Sequence, residues 1–179
     1  MTHLVEPMAV GLHGVLLAQS QPGDRVLVIG AGPIGLAATY WARRLGAGRI
    51  AVTAGSTRRA TLALTMGADA FLDPADASPE AAIRALGGMP DVVYECVGVP
   101  GMIARGIDYV RPRGTVVVLG LCTREDHFMP FTLVSKEARL QASAFYDRRD
   151  FEVCADALDK DADTQRAMVT DVIQLEDMP

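Results

Sequence analysis

With 179 residues, 50% of them apolar, and a net charge of −5, the chain can bury a core without staples and is too apolar for intrinsic disorder. Its basic residues are scattered, which excludes the positive footprint of a nucleic-acid binder and leaves only local phosphate recognition open. Cys96, Cys122 and Cys154 are widely spaced and odd in number, so they make neither a disulfide framework nor a CxxC metal motif. This points to a reducing, cytoplasmic compartment.

In chain order, residues 2–19 read as a helix. Their apolar stretch holds Glu6, His13 and two glycines and has no basic residues ahead of it, which argues against a signal peptide or a membrane span. After a Pro-Gly-Asp turn at 22–24, RVLVIG (25–30) is an aliphatic run of the kind buried on both faces of a parallel sheet. Helix-like and strand-like runs then alternate: PIGLAATYWARRLG, RIAVT, RRATLALTMG, AFLD, PEAAIRALG, DVVYECV, PGMIARGIDYV and GTVVVLG. A sixth strand is predicted over Arg139–Phe145, with a helix from about Arg149 to Leu158. The pattern predicts an α/β, doubly wound Rossmann fold of about six mostly parallel strands with helices on both faces. The expected organisation is a linking helix over 1–20, the doubly wound domain over 21–160 and a return segment over 161–179, where TDVIQLEDMP is strand-like. Both ends read as unfinished, so a piece of a larger protein is expected.

Residues 30–35 read Gly-Ala-Gly-Pro-Ile-Gly, a GxGxxG turn set between a strand and a helix. In that context Gly30 permits the tight turn, Gly32 lets backbone approach a pyrophosphate and Gly35 lets helix pack on strand. Pro33 suits the first helical turn, and the free amides around Ile34 then face phosphates. The competing reading is a glycine turn that only packs strand against helix.

Dinucleotide folds of this kind place an Asp or Glu about 20 residues further on, to bond the adenosine ribose. Here the position falls on Ala54 or Gly55, and no acidic residue occurs between Gly35 and Asp69. In its place stand Ser56, Thr57, Arg58 and Arg59, hydroxyl and guanidinium donors suited to a 2′-phosphate that a carboxylate would repel. NADP(H) is therefore favoured over NAD(H). The alternative, that the arginines merely open the next helix as solvated residues, stays open.

With EPMAVGLHGVLLAQ, GDRVLVIGAGPIGLAA, LTMGADAFLDP, DVVYECVG and RPRGTVVVLGL, the chain resembles the medium-chain dehydrogenase/reductase family. Within it, the resemblance is to the cofactor domain of zinc-dependent alcohol, polyol and threonine dehydrogenases, since Glu6-Pro7 opens 24 residues before Gly30. The resemblance implies that Cys96, Val97 and Gly98, ending the fourth strand, run along the cofactor. It implies that Leu119, Gly120 and Leu121, ending the fifth, lie beside the nicotinamide, although plain strand packing is the competing role for these residues. Glu6 then corresponds to a carboxylate of the zinc site, whose other ligands belong to a preceding catalytic domain. His3, His13 and His127 have no partner at metal-ligand spacing, so no zinc is expected bound to this piece. HFMPFTLV (127–134) is more apolar than a surface loop should be, and in the resembling family this region pairs edge to edge across a homodimer.

The implied activity is hydride transfer between a nicotinamide and a small alcohol or carbonyl, polarised by zinc in the parent enzyme. The piece alone is expected to be inactive. A short-chain reductase needs Tyr-x-x-x-Lys, and the residues four after Tyr40, Tyr94, Tyr109 and Tyr146 are Arg44, Gly98, Arg113 and Asp150, which excludes it. The non-enzymatic alternative is a dinucleotide-binding module acting as sensor or scaffold.

Overall fold

Arg25–Ile29 forms the central strand β1, bonded on one side to β2 (Arg49–Thr53) and on the other to β4 (Val92–Glu95). The computed structural model describes residues 2–169; the strand-like run at 170–179 lies outside them. β3 (Ala70–Leu72), β5 (Thr115–Val118) and β6 (Arg139–Ala142) complete a sheet of order β3-β2-β1-β4-β5-β6, every neighbouring pair parallel. The doubly wound fold expected from the alternating pattern is the fold observed.

The aliphatic runs are continuous because each strand feeds two cores. Val26, Val28, Ile50, Val52, Val92, Tyr94 and Val117 enter one cluster, which they share with α1 (Val5–Leu17), α2 (Pro33–Arg44) and α7 (Arg148–Lys160). Leu27, Ile29, Ala51, Val93 and Val116 enter the other, against α4 (Pro79–Leu86) and α5 (Met102–Tyr109). Alternating side chains point to opposite faces, so a strand buried on both is apolar along most of its length. The first cluster also takes Ala63 from the short helix α3 (Ala60–Thr65).

Helix α1 belongs to this body. Met8, Ala9, Leu12 and Val15 lie in the first cluster, and Trp41 Nε1 donates to the Met8 carbonyl at 2.9 Å. On its other side His13 Nδ1 meets Asp150 Oδ2 of α7 at 2.7 Å.

Three elements differ from expectation. Residues 127–134 supply no sheet edge: Pro130 opens a helix, α6 (Pro130–Ser135), whose Leu133 packs against the second cluster. A proline at the first helical position loses no hydrogen bond and has its φ already set. Met129, Phe131 and Val134 remain exposed there, while β6, bonded among the described residues only to β5, is one of the sheet's two edge strands. β6 stops at Ala142 instead of Phe145, which sits at φ 59° and takes the chain out of the extended region. Beyond α7, a further short helix, α8 (Ala162–Arg166), tucks the buried Gln165 against Tyr40 at 3.2 Å. Among the described residues no helix is long and apolar enough to cross a membrane.

Candidate functional site

β1 runs out into Gly30, whose amide bonds the Thr53 carbonyl at 2.7 Å, and the backbone turns there at φ 108°. A side chain on Gly35 would collide with the Gly30 carbonyl, so both glycines are demanded by the turn itself. Gly32 is different. It caps α2 in an extended conformation open to any residue (φ −71°, ψ 178°), and a Cβ there would meet nothing within 4 Å. The space it leaves is part of a cavity, so glycine at this position keeps room outside the fold's own needs. Pro33 is the first residue of α2, whose first turn carries no acidic residue, and Ile34 leans on the core beside it.

That cavity, about 430 Å³, lies between the glycine turn and the exit of β2. Ala54, Gly55, Ser56, Arg58 and Arg59 form one wall, Cys96 and Val97 another, and among the described residues no carboxylate lines it. Ala54 and Gly55 thus occupy the place of the ribose-bonding acid at the exit of β2. Thr57, Arg58 and Arg59 make a single 3-10 turn before α3, and there the two arginines part company. Arg59 is half-buried and donates from Nη1 to the Ala31 carbonyl at 3.0 Å, binding its own turn to the glycine turn. Arg58 is exposed on the cavity wall, and Thr57 is exposed outside the lining.

A second cavity, about 410 Å³, continues past the ends of β4 and β5. Ile34, Cys96, Val97, Leu119, Gly120 and Leu121 line it, with Glu6 and Val10 of α1 closing one side. Ser143 and Phe145 close another; Ser143 Oγ is buried without a hydrogen-bond partner among the described residues. Gly98 lines neither cavity. It turns at φ 72° against Gly120 and Leu121, where a Cβ would sit 2.6 Å from the Leu121 amide nitrogen. Burial, with the neighbouring Glu95 charge, pushes the Cys96 thiol well above its ordinary range, so it is no ready nucleophile. Ser143 becomes visible only in three dimensions, as does Glu95, whose buried carboxylate accepts from the Val97 and Gly98 amides. An acid inside the otherwise apolar run VVYECV was the available signal.

Metal donors do not converge on this crevice. Among the described residues the one group of three close donors is His13, Asp147 and Asp150, and the two aspartates are already the capping box of α7. Glu6 is exposed at the second cavity and belongs to no such group. At the crevice itself, therefore, the described residues bring no three donors together. A cavity of about 340 Å³ at the opposite end of the strands is lined by Arg111, Arg113 and Arg139. Those guanidinium groups are engaged by Asp91, Glu137 and the Ala18 carbonyl respectively.

A parallel sheet in this order, with its crevice at the β1/β4 reversal and a glycine turn opening a helix there, defines the doubly wound dinucleotide-fold class. The chain belongs to the zinc-binding dehydrogenase family, whose model matches residues 33–160, and so to the medium-chain dehydrogenases/reductases it resembles. Sorbitol dehydrogenase of Ovis aries is 40% identical over 122 residues, 66% of this chain and 34% of that protein. The crystal structure of 2R,3R-butanediol dehydrogenase from Bacillus subtilis superposes with a TM-score of 0.82 at 28% identity, over 90% of this chain and 47% of that one. A protein from Sinorhizobium meliloti described as a zinc-binding dehydrogenase, bound to NADP, gives 0.76 at 28% identity, over 94% and 55%. The chain thus spans between about a third and about half of the relatives it matches.

Proposed function

We propose that the chain is the NADP(H)-holding half of a zinc-dependent medium-chain oxidoreductase acting on a small alcohol or carbonyl compound. The observation that carries the reading is the first cavity: a glycine turn facing Ser56 and Arg58 at the exit of β2, with no carboxylate among the described residues lining it. The open space over Gly32, which nothing in the chain itself requires, fits a pyrophosphate laid on the first turn of α2. Arg58 and Ser56 then receive the 2′-phosphate, and Arg59 holds the receiving wall against the glycine turn. Leu119, Leu121 and Ile34 give the second cavity apolar walls at the reacting end. When bound, the nicotinamide supplies or accepts the hydride. The remaining metal donors and the substrate pocket belong to the rest of a longer enzyme, in keeping with the share of its relatives that this chain covers. A homodimer and a reducing, cytoplasmic setting belong to the same reading.

Calorimetric or fluorescence titration tests it. NADPH should bind at least about tenfold more tightly than NADH, the weight of one charge-assisted contact to phosphate. Arg58→Ala should bring the ratio towards one by weakening NADPH alone, whereas Arg59→Ala should weaken both dinucleotides together. Equal affinities of the unmodified chain for NADPH and NADH would sink the NADP(H) assignment.

A further inference from the structure

Glu95 ends β4 at 1% exposure, in the midst of an apolar strand. Its Oε1 accepts from the Val97 amide at 2.6 Å and the Gly98 amide at 3.0 Å. Its backbone carbonyl accepts from the Leu119 and Gly120 amides at 2.8 and 3.0 Å. One residue therefore holds the exits of both β4 and β5, the two segments that floor the second cavity. Oε2 faces Gly120, where a Cβ would stand 2.6 Å from it. At the same crossing, any side chain on Gly120 would strike the Gly98 backbone. The exits are thus packed backbone to backbone with the carboxylate between them. A buried carboxylate is costly unless its hydrogen bonds are made. A neutral side chain could close a turn of this size, so the charge at this junction needs a use beyond the turn.

We propose that Glu95 is a positioning residue for the reacting half of the dinucleotide. By fixing Val97–Gly98 against Leu119–Gly120, it sets the platform on which the nicotinamide end lies, while Ser56 and Arg58 are carried by the exit of β2, with Val97 on the other wall of that cavity. The inference rests on the cofactor reading above and adds a residue that the glycine-turn argument does not reach.

The split between the two halves is the test. Titrating the whole chain with NADPH and with adenosine 2′,5′-bisphosphate, which carries only the 2′-phosphate end, separates them. Glu95→Gln keeps the shape but loses the charge on both amide bonds. Weakening those two bonds loosens the platform, which should weaken NADPH about tenfold and leave the fragment within about twofold. Glu95→Asp keeps the charge but withdraws it by one methylene, and should give the same split. The change in nicotinamide emission on binding should shrink in both variants, with thermal melts confirming that they fold. A parallel loss for NADPH and the fragment, or no loss in either, overturns the proposal. Absence of NADPH binding by the unmodified chain overturns the cofactor reading and this inference with it.

Discussion

Asp91 stands where three strands begin, and its charge is spent on structure. Its carboxylate takes Arg25 N at 2.8 Å, Arg25 Nε at 3.1 Å and Arg111 Nε at 2.5 Å. Burial by itself would raise its pKa, but the bonds from Arg111 and Arg25 outweigh that and hold the carboxyl below its ordinary value. Because the folded group titrates below the unfolded one, its stabilisation is complete above about pH 3.9 and is lost as pH falls through the folded value. Urea unfolding of Asp91→Asn should therefore show lower stability at neutral pH and a flatter decline below about pH 4 than the unmodified chain; identical profiles would remove Asp91 from acid unfolding. At this scale the sequence was only partly legible. The missing acid after β2 and the pair Arg58-Arg59 are visible in the string of letters. The separation of their roles is not, since it rests on a bond from Arg59 to Ala31, 28 positions away.

At the scale of elements, α1 shows how two glycines can serve packing in the middle of a helix. A Cβ on Gly11 would lie 2.6 Å from the Ala37 Cβ and 2.9 Å from the Ala37 backbone carbon, and one on Gly14 would overlap the Leu119 side chain. Gly11→Ala gains up to about 1 kcal/mol of helix propensity but forces α1 off the backbone of α2, an overpacking cost of about 1–3 kcal/mol. Net destabilisation is expected. Trp41, the sole tryptophan, bonds the Met8 carbonyl of α1, so its fluorescence should report the loosened helix during urea unfolding. Stability at or above that of the unmodified chain would show that the contact yields freely. The six strands and the helices between them were legible because aliphatic runs and 3.6-residue periodicity are local. Helix α6 was not: its apolar letters suit a covered edge equally well, and Leu133 reaching the second cluster decided the matter.

For the whole molecule, the strand order places the glycine turn, the exit of β2 and the exits of β4 and β5 around one crevice. Among the described residues, no three metal donors meet there. The chain alone should bind a dinucleotide yet turn over alcohols negligibly even with added zinc, as followed by nicotinamide absorbance; robust turnover would show that no further domain is needed.

The sequence by itself determined the class of fold and the place of the glycine turn. Both follow from short-range sterics: which residues tolerate a tight turn, and which runs must be buried on two faces. The tertiary structure alone decided which arginine is left to face the cavity, that Glu95 joins two strand exits, and that α1 is part of the core. Each of these depends on groups far apart in the chain meeting within hydrogen-bond or van der Waals distance, and such meetings are set by the packing of the whole sheet.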